Sequence, residues 1–153
     1  MKVKPIKRHK AIQPLSRDHH QGLLLSWKIR TGFSKGVSTD RIKTYVDWFY
    51  KTHLMSHFKE EEEYLFPILG NDNELVKKAI SQHKRLNRLF RSTTELEKSL
   101  NRIEEELEKH IRFEERVLFN EIQKVATEQQ LLSILEHHAD TKFLDNTTDK
   151  FWE

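Results

Sequence analysis

Apolar residues recur every three or four positions along almost the whole chain, which is the spacing of one helix face. Leu15 and the cap-forming Ser16 and Asp18 precede Leu23, Leu24, Trp27 and Ile29, predicting a first helix over about 16–31. Two glycines and several cap formers between Thr31 and Asp40 predict a loop. Ile42, Tyr45, Val46, Phe49 and Leu54 mark a second helix over about 39–65, ending near Pro67, whose ring nitrogen carries no hydrogen to donate. Gly70-Asn-Asp-Asn is a turn and an N-cap for a third helix over about 73–92. Thr94 with Glu97 has the spacing of a capping box, opening a fourth helix over about 95–123 that carries Leu96, Leu100, Ile103, Leu107, Ile111 and Val117. Thr127 with Gln130 has the same spacing and opens a short fifth helix to about 139. Trp27, Trp48 and Phe49 sit among apolar neighbours and are expected in the core, while the last dozen residues are polar and expected to be loose, with Phe143, Phe151 and Trp152 as side chains that could dock on the bundle. The expected fold is therefore all-α: an up-down-up-down four-helix bundle over 14–125, a C-terminal helix and tail over 126–153, and an arm over 1–13.

Composition narrows the function classes. A chain of 153 residues suits one domain with a core of its own. Four glycines, three prolines and 33% charged residues exclude a collagenous or low-complexity chain. No window is apolar enough to span a bilayer, and the basic start lacks the apolar stretch of a secretory signal, so a cytoplasmic protein is expected. With no cysteine, thiolate metal sites, disulfides and thiol nucleophiles are excluded; the available chemistry belongs to histidine, carboxylates and hydroxyls. Five of the 27 basic residues (Lys2, Lys4, Lys7, Arg8 and Lys10) fall in the first ten positions, leaving 22 basic against 24 acidic groups elsewhere. The excess positive charge thus belongs to the arm, which is expected to be solvated and flexible; nucleic acid is not an expected partner.

An internal repeat carries the chemistry. His57-Phe-Lys-Glu-Glu61-Glu-Glu-Tyr-Leu65-Phe66 aligns without a gap on His110-Ile-Arg-Phe-Glu114-Glu-Arg-Val-Leu118-Phe119, and His19 and His83 precede the two blocks by 38 and 27 residues. The difference of 11 is about three helical turns, which a shorter link in the second repeat absorbs. His-x-x-x-Glu arises easily by chance in so acidic a chain; its force comes from the same placement in both repeats, followed each time by Glu and Leu-Phe. Residues i and i+4 lie side by side on a helix, so one His and one Glu can serve the same ion. If helices two and four run parallel, both blocks come to one level, and helices one and three add His19 and His83. The predicted metal set is His19, His57, Glu61, His83, His110 and Glu114.

Imidazole and carboxylate donors without thiolate suit iron, manganese, zinc or copper. Two carboxylates able to bridge favour a pair of ions, with two histidines on each and an open position beside a redox-active metal where dioxygen, peroxide or nitric oxide binds. The absence of Glu-x-x-His argues against a ferritin-like carboxylate centre, and the absence of His-Glu-x-x-His argues against a zinc peptidase.

The set Asp18-His19, His57-x-x-x-Glu61-Glu62 with Leu65-Phe66-Pro67, His83, and His110-x-x-x-Glu114-Glu115 resembles the hemerythrin-like HHE cation-binding family over about residues 15–122. The resemblance implies a four-helix bundle holding a non-haem di-iron centre, with zinc or manganese as possible substitutes. Members of that family carry or sense oxygen, respond to nitric oxide, handle iron or help repair iron–sulfur clusters. Oxygen carriers have a fifth histidine one turn after the third-helix histidine; here that position is Asn87. Four His and two Glu is closer to the di-iron domain of iron–sulfur repair proteins, whose cysteine-bearing N-terminal domain has no counterpart in these residues. Iron storage or donation, and a structural bundle with zinc or an empty site, are the alternatives.

The other histidines receive separate readings. His53, one turn before His57, is a supporting group or an extra ligand; His20 belongs to the surface; His137 and His138 are sites for adventitious metal; His9 is solvated with the arm. Tyr45 and Tyr50 lie where they could reach the centre. Glu62 and Glu115, one step beyond the two carboxylate ligands, are expected to face solvent.

Overall fold

The computed structural model describes residues 7–138 and 142–153. The described residues form helices and no strand: α1 (Gln13–Ser34), α2 (Thr39–Phe49), α3 (Met55–Glu60), α4 (Glu74–Arg91), α5 (Leu96–Phe113), α6 (Phe119–Val125) and α7 (Glu128–His137). π-turns at Tyr50–Leu54 and Glu61–Leu65 join α2 and α3 into one rod, which a 3₁₀ turn at Phe66–Ile68 ends at the predicted proline. A third π-turn, Glu114–Leu118, joins α5 to α6. No described helix is long and apolar enough to cross a membrane.

The local signals explain most boundaries. Asn73 Oδ1 accepts from the backbone N–H groups of Leu75 (2.9 Å) and Val76 (3.4 Å), capping α4. Thr127 and Gln130 form the predicted capping box of α7. The other predicted box does not form. Thr94 Oγ1 gives way to Glu95, which stands before α5 with φ of 48° and leaves the helix start without a side-chain cap. Helix α1 starts earlier than predicted, because Pro14 suits a first turn and the His9 carbonyl already accepts from Ile12 and Gln13.

Two apolar clusters pack the interior. One holds Leu25, Ile29, Phe49, Phe58, Phe90, Leu107 and Phe151 among others; the second holds Ile12, Leu15, Leu65, Phe66, Ala79, Leu118 and Phe119. On every long rod the predicted ligands lie between residues of the two clusters, as His19 lies between Leu15 and Leu25 and His83 between Ala79 and Leu86. A polar belt is therefore held in the middle of an apolar interior. Trp27 is not part of it: it is 45% exposed, since the buried stripe of α1 runs through Leu15, Gly22, Leu25 and Ile29. Val117 is likewise exposed, and Leu118 takes the core position.

The described part of the basic arm is docked, contrary to the solvated state expected for it. Ala11 and Ile12 are buried, and Arg8 donates to Glu115 Oε2 (3.2 Å) and Asn120 Oδ1 (2.7 Å). The tail, expected to be loose apart from its aromatic residues, is strapped down through them. Phe151 is buried under Gly32, Trp152 lies 3.9 Å from the Lys28 ammonium, and Arg41 pairs with Asp149. Lys28 is buried and donates to Tyr45 Oη (2.8 Å) and Asp145 Oδ2 (2.7 Å). Tyr45 thus serves the strap rather than the centre, and burial together with the Asp145 carboxylate raises its pKa.

A methyl group at Gly32 would lie 2.8 Å from Phe151 and 2.9 Å from Ile42. Gly32→Ala is therefore expected to destabilise the protein by about 1–3 kcal/mol through overpacking, read as a lower urea midpoint. Unchanged unfolding would mean that Phe151 leaves its seat at little cost.

Candidate metal centre

The six predicted residues converge. His19 comes from α1, His57 from α3, Glu61 from the turn that follows it, His83 from α4, His110 from α5, and Glu114 from the turn after α5. All six are at least nine-tenths buried, and both carboxylates are fully so. They form two groups: His19, His57, Glu61 and Glu114, and Glu61, His83, His110 and Glu114, each with ligand atoms within 4.8 Å of one another. The two carboxylates belong to both groups. Glu61 turns Oε2 toward His57 Nε2 (3.4 Å) and His19 Nε2 (3.6 Å), and Oε1 toward His83 Nε2 (3.2 Å). Glu114 turns Oε1 toward His19 Nε2 (2.9 Å) and His110 Nε2 (3.1 Å), while Oε2 lies 3.9 Å from His83 Nε2.

The outer nitrogens of the four rings are all held. His19 Nδ1 meets Glu115 (2.7 Å), His57 Nδ1 meets Asp18 (3.1 Å), His83 Nδ1 meets Glu62 (2.9 Å) and His110 Nδ1 meets the Gln82 carbonyl oxygen (2.6 Å). Those oxygens only accept, so each Nδ1 carries the hydrogen, and a neutral ring must present a bare Nε2 lone pair inward. This is how metal-binding histidines are commonly oriented. The supports follow the repeat. Asp18 and Gln82 precede the first histidine of each repeat and hold the second; Glu62 and Glu115 follow the glutamate of each repeat and hold the first histidine of the other.

The expectation for Glu62 and Glu115 is therefore corrected. An ordinary helix step of about 100° would carry them off the face of Glu61 and Glu114. Both pairs, however, start π-turns, in which Glu61 and Glu114 carbonyls accept from Phe66 and Phe119 N–H, five residues on. A wider turn makes a smaller step per residue, so both carboxylates stay within reach of a histidine. π-turns are often found at functional sites.

The interior of this cage is short of positive charge. His57 Nε2, both oxygens of Glu61 and Glu114 Oε2 are buried without a hydrogen-bond partner. His83 Nε2 and His110 Nε2 stand 3.1 Å apart. Two lone pairs repel at that distance, but two nitrogens about 2.1 Å from one ion and at roughly right angles are about 3 Å apart. Without a cation, protons must fill the gap. Burial opposes protonation of His19, His57 and His83, yet the surrounding carboxylates outweigh it, raising His19 well above the ordinary range, His57 to about 10 and His83 to about 9. The carboxylates touching the rings and the Arg8 guanidinium on Glu115 together leave four negative charges, which two divalent ions would neutralise. The residues fit a pair of metal ions.

The remaining expectations divide. Tyr50 donates to Asn87 Oδ1 (2.6 Å). His53 is outside both groups and packs on Phe143 with ring centres 4.6 Å apart. His20 is exposed, His137 stacks on Tyr64, and His138 pairs with Glu60 (2.8 Å). His9 is tied to Gln123 through its backbone and approaches Glu128 (3.3 Å). Gln82 and Arg8 were not signalled; comparing the residue before each first histidine would have pointed to Gln82.

Glu62→Ala and Glu115→Ala are each expected to weaken metal binding by about 10–100-fold while leaving a folded protein, because they free a ligand ring without removing a ligand. Competition with a chelator of known affinity measures this. Affinity equal to that of the unaltered protein would reduce both residues to surface charges.

No protein-family model matches the chain, and comparison with curated proteins and with solved structures gives no match to either.

Proposed function

We propose that this chain is a hemerythrin-like protein whose six buried ligands hold a non-haem di-iron centre that binds dioxygen, peroxide or nitric oxide. The observation that carries the reading is the pair of ligand groups sharing Glu61 and Glu114, whose inward oxygens have no other partner. Histidine and carboxylate donors without sulfur suit iron, with manganese or zinc as substitutes. The order in which the rods meet the two apolar clusters supports an up-down-up-down arrangement. α1 and α4 meet the Leu15–Phe119 cluster first, whereas the rods of α2–α3 and α5–α6 meet it last.

When bound, iron would supply redox activity and an open coordination position for a small ligand. The chain's own contribution is to set and shield that position. Glu61 and Glu114 would hold the two ions at a fixed separation. Asp18, Glu62, Gln82 and Glu115 fix the ring planes by taking the Nδ1 hydrogens. Phe58 stacks on His83 (4.0 Å) and Phe119 on His19 (5.0 Å), keeping bulk water from those rings. Asn87 in place of a fifth histidine leaves two histidines per ion, so both ions have similar donor sets.

Metal analysis after anaerobic loading with ferrous iron is the test, followed by absorption spectra of the reduced protein exposed to dioxygen and to nitric oxide. About two irons per chain and ligand-dependent bands are expected. Iron bound at that ratio with no spectral response would favour iron as cargo; no metal bound would reject the di-iron reading.

A further inference from the structure

His57 differs from the other three ligand histidines in exposure, in the length of its supporting bond and in the helix that carries it. His57 is the most exposed of the four, at 6% against 3% for His19 and 1% for His83 and His110. Its supporting bond, to Asp18, is the longest at 3.1 Å, and Asp18 itself is 44% exposed. Its Nε2 is the one imidazole nitrogen of the set without a hydrogen-bond partner. It is carried on α3, six residues long and bounded at both ends by π-turns, whereas the matching His110 lies in the 18-residue α5 with one π-turn after it.

Outside His57 lies a cavity of about 350 Å³. Among the principal cavities of the described residues, this one reaches a ligand of the centre; the groove of about 1130 Å³ along α4 and α5 and that of about 700 Å³ near Phe90 do not. It is lined by His57 and Asp18 and by Glu60, which pairs with His138 of the same lining. Glu60 and His138 are themselves largely shielded, with 14% and 17% of their side chains exposed. Of the lysines lining this cavity, Lys59 is 75% exposed and leans toward Glu63 (3.8 Å). Two carboxylate–imidazole pairs, Asp18 with His57 and Glu60 with His138, thus line one cavity with a ligand of the centre, and these are donor types that a hard or borderline divalent cation prefers.

We propose that this cavity is the route by which a divalent metal ion reaches the centre, with Glu60 and His138 as a transient outer station and His57 as the ligand that admits the ion. The inference rests on the di-iron reading for the destination, though not for its oxidation chemistry. An ion at the outer station exchanges part of its water for the Glu60 carboxylate and the His138 imidazole. Asp18 then draws it inward, and His57, with the weakest support of the four rings, turns to accept it. The His19/His57 position fills first on this route, and the His83/His110 position, covered by Phe58 and Phe66, fills through it.

Stopped-flow uptake of cobalt(II) by the metal-free full chain separates the two readings. Glu60→Gln, which removes a negative charge, is expected to slow uptake by about tenfold, the lower end of what charge focusing in a cleft gives, and His138→Gln, which removes a donor nitrogen but no negative charge, is expected to slow it to a smaller extent. Their final content should remain near two ions per chain. The slowing by Glu60→Gln should shrink as salt is raised, since charges are then screened. Glu105→Gln, in the groove along α5, serves as the control for a general loss of charge and is expected to leave the rate alone. Unaltered rates in both cavity variants with full final loading would overturn the route while leaving the centre intact; so would equal slowing by Glu105→Gln. Failure of the unaltered protein to take up cobalt at all would instead count against the centre itself.

Discussion

Replacing Glu61 or Glu114 by alanine is expected to empty both metal positions at once, taking the content from about two ions per chain to near zero. Replacing His57 or His19 is expected to spare one position, leaving about one ion. The contrast follows from membership: each carboxylate belongs to both ligand groups, and each histidine to one. The metal-free protein should suffer as well. Removing Glu61 takes away a buried carboxylate that faces three imidazoles, those of His19, His57 and His83, which carry protons when no metal is bound, and losing one partner of a buried charge pair typically costs about 3–5 kcal/mol. Iron analysis and urea unfolding of the four variants read the two effects separately. Two ions retained in Glu61→Ala would mean that the carboxylate is not shared, and the dinuclear reading would fall with it.

Metal loading at pH 7 is expected to release about three protons, from His19, His57 and His83, and to raise the melting temperature by more as pH rises. Burial works against charge on these rings, but Glu61, Glu114 and the supporting carboxylates outweigh it, so their pKa values stand above the 6.5 or so of an unfolded histidine. A raised folded value contributes stability that is complete below about pH 6.5 and is lost as pH passes through about 9 for His83 and about 10 for His57. Glu61 has the opposite sign. Burial raises it, yet His57 and the bonds from His19 and His83 hold it well below the carboxylate range, so its contribution disappears only in strong acid. Metal-free protein should therefore be most stable in mildly acidic solution, and metal-loaded protein should gain as protons cease to compete. At free metal 100-fold above Kd the added stability is about 2.7 kcal/mol, or roughly 5–10 °C for a chain of this size. Calorimetry in buffers of different ionisation enthalpy counts the protons. A melting difference that narrowed between pH 6.5 and 9 would contradict the protonated cage.

The helices and the six converging residues were legible because each rests on a local or repeated signal. Helix period, Pro67, Asn73 and the Thr127–Gln130 pair act over a few residues, and the two His-x-x-x-Glu blocks support each other by their alignment. What was not legible depends on contacts or on departures from ideal geometry. Glu62 and Glu115 were set facing solvent by an ordinary helical step, and only the π-turns bring them to His83 and His19. Arg8 is joined to Glu115 across 107 residues, and Lys28 to Asp145 across 117, separations at which no sequence period acts. Trp27 failed for a simpler reason. Apolar character alone placed it inward, although the neighbouring stripe from Leu15 to Ile29 had already filled that face. Thr94 lost its capping role to a left-handed Glu95, a backbone choice that composition does not announce.

The crossed placement of the carboxylates also sets an order of events during synthesis. The first helix pair emerges from the ribosome with His19, His57 and Glu61, but neither ligand group is complete before residue 114, and the support for His19 arrives one residue later. A nascent chain stalled before residue 96 has an unfinished cage whose first helix still lacks α5, its main packing partner. A metal ion would thereby meet four ligands only once both repeats have been made, rather than a partial set open to whichever metal is most abundant.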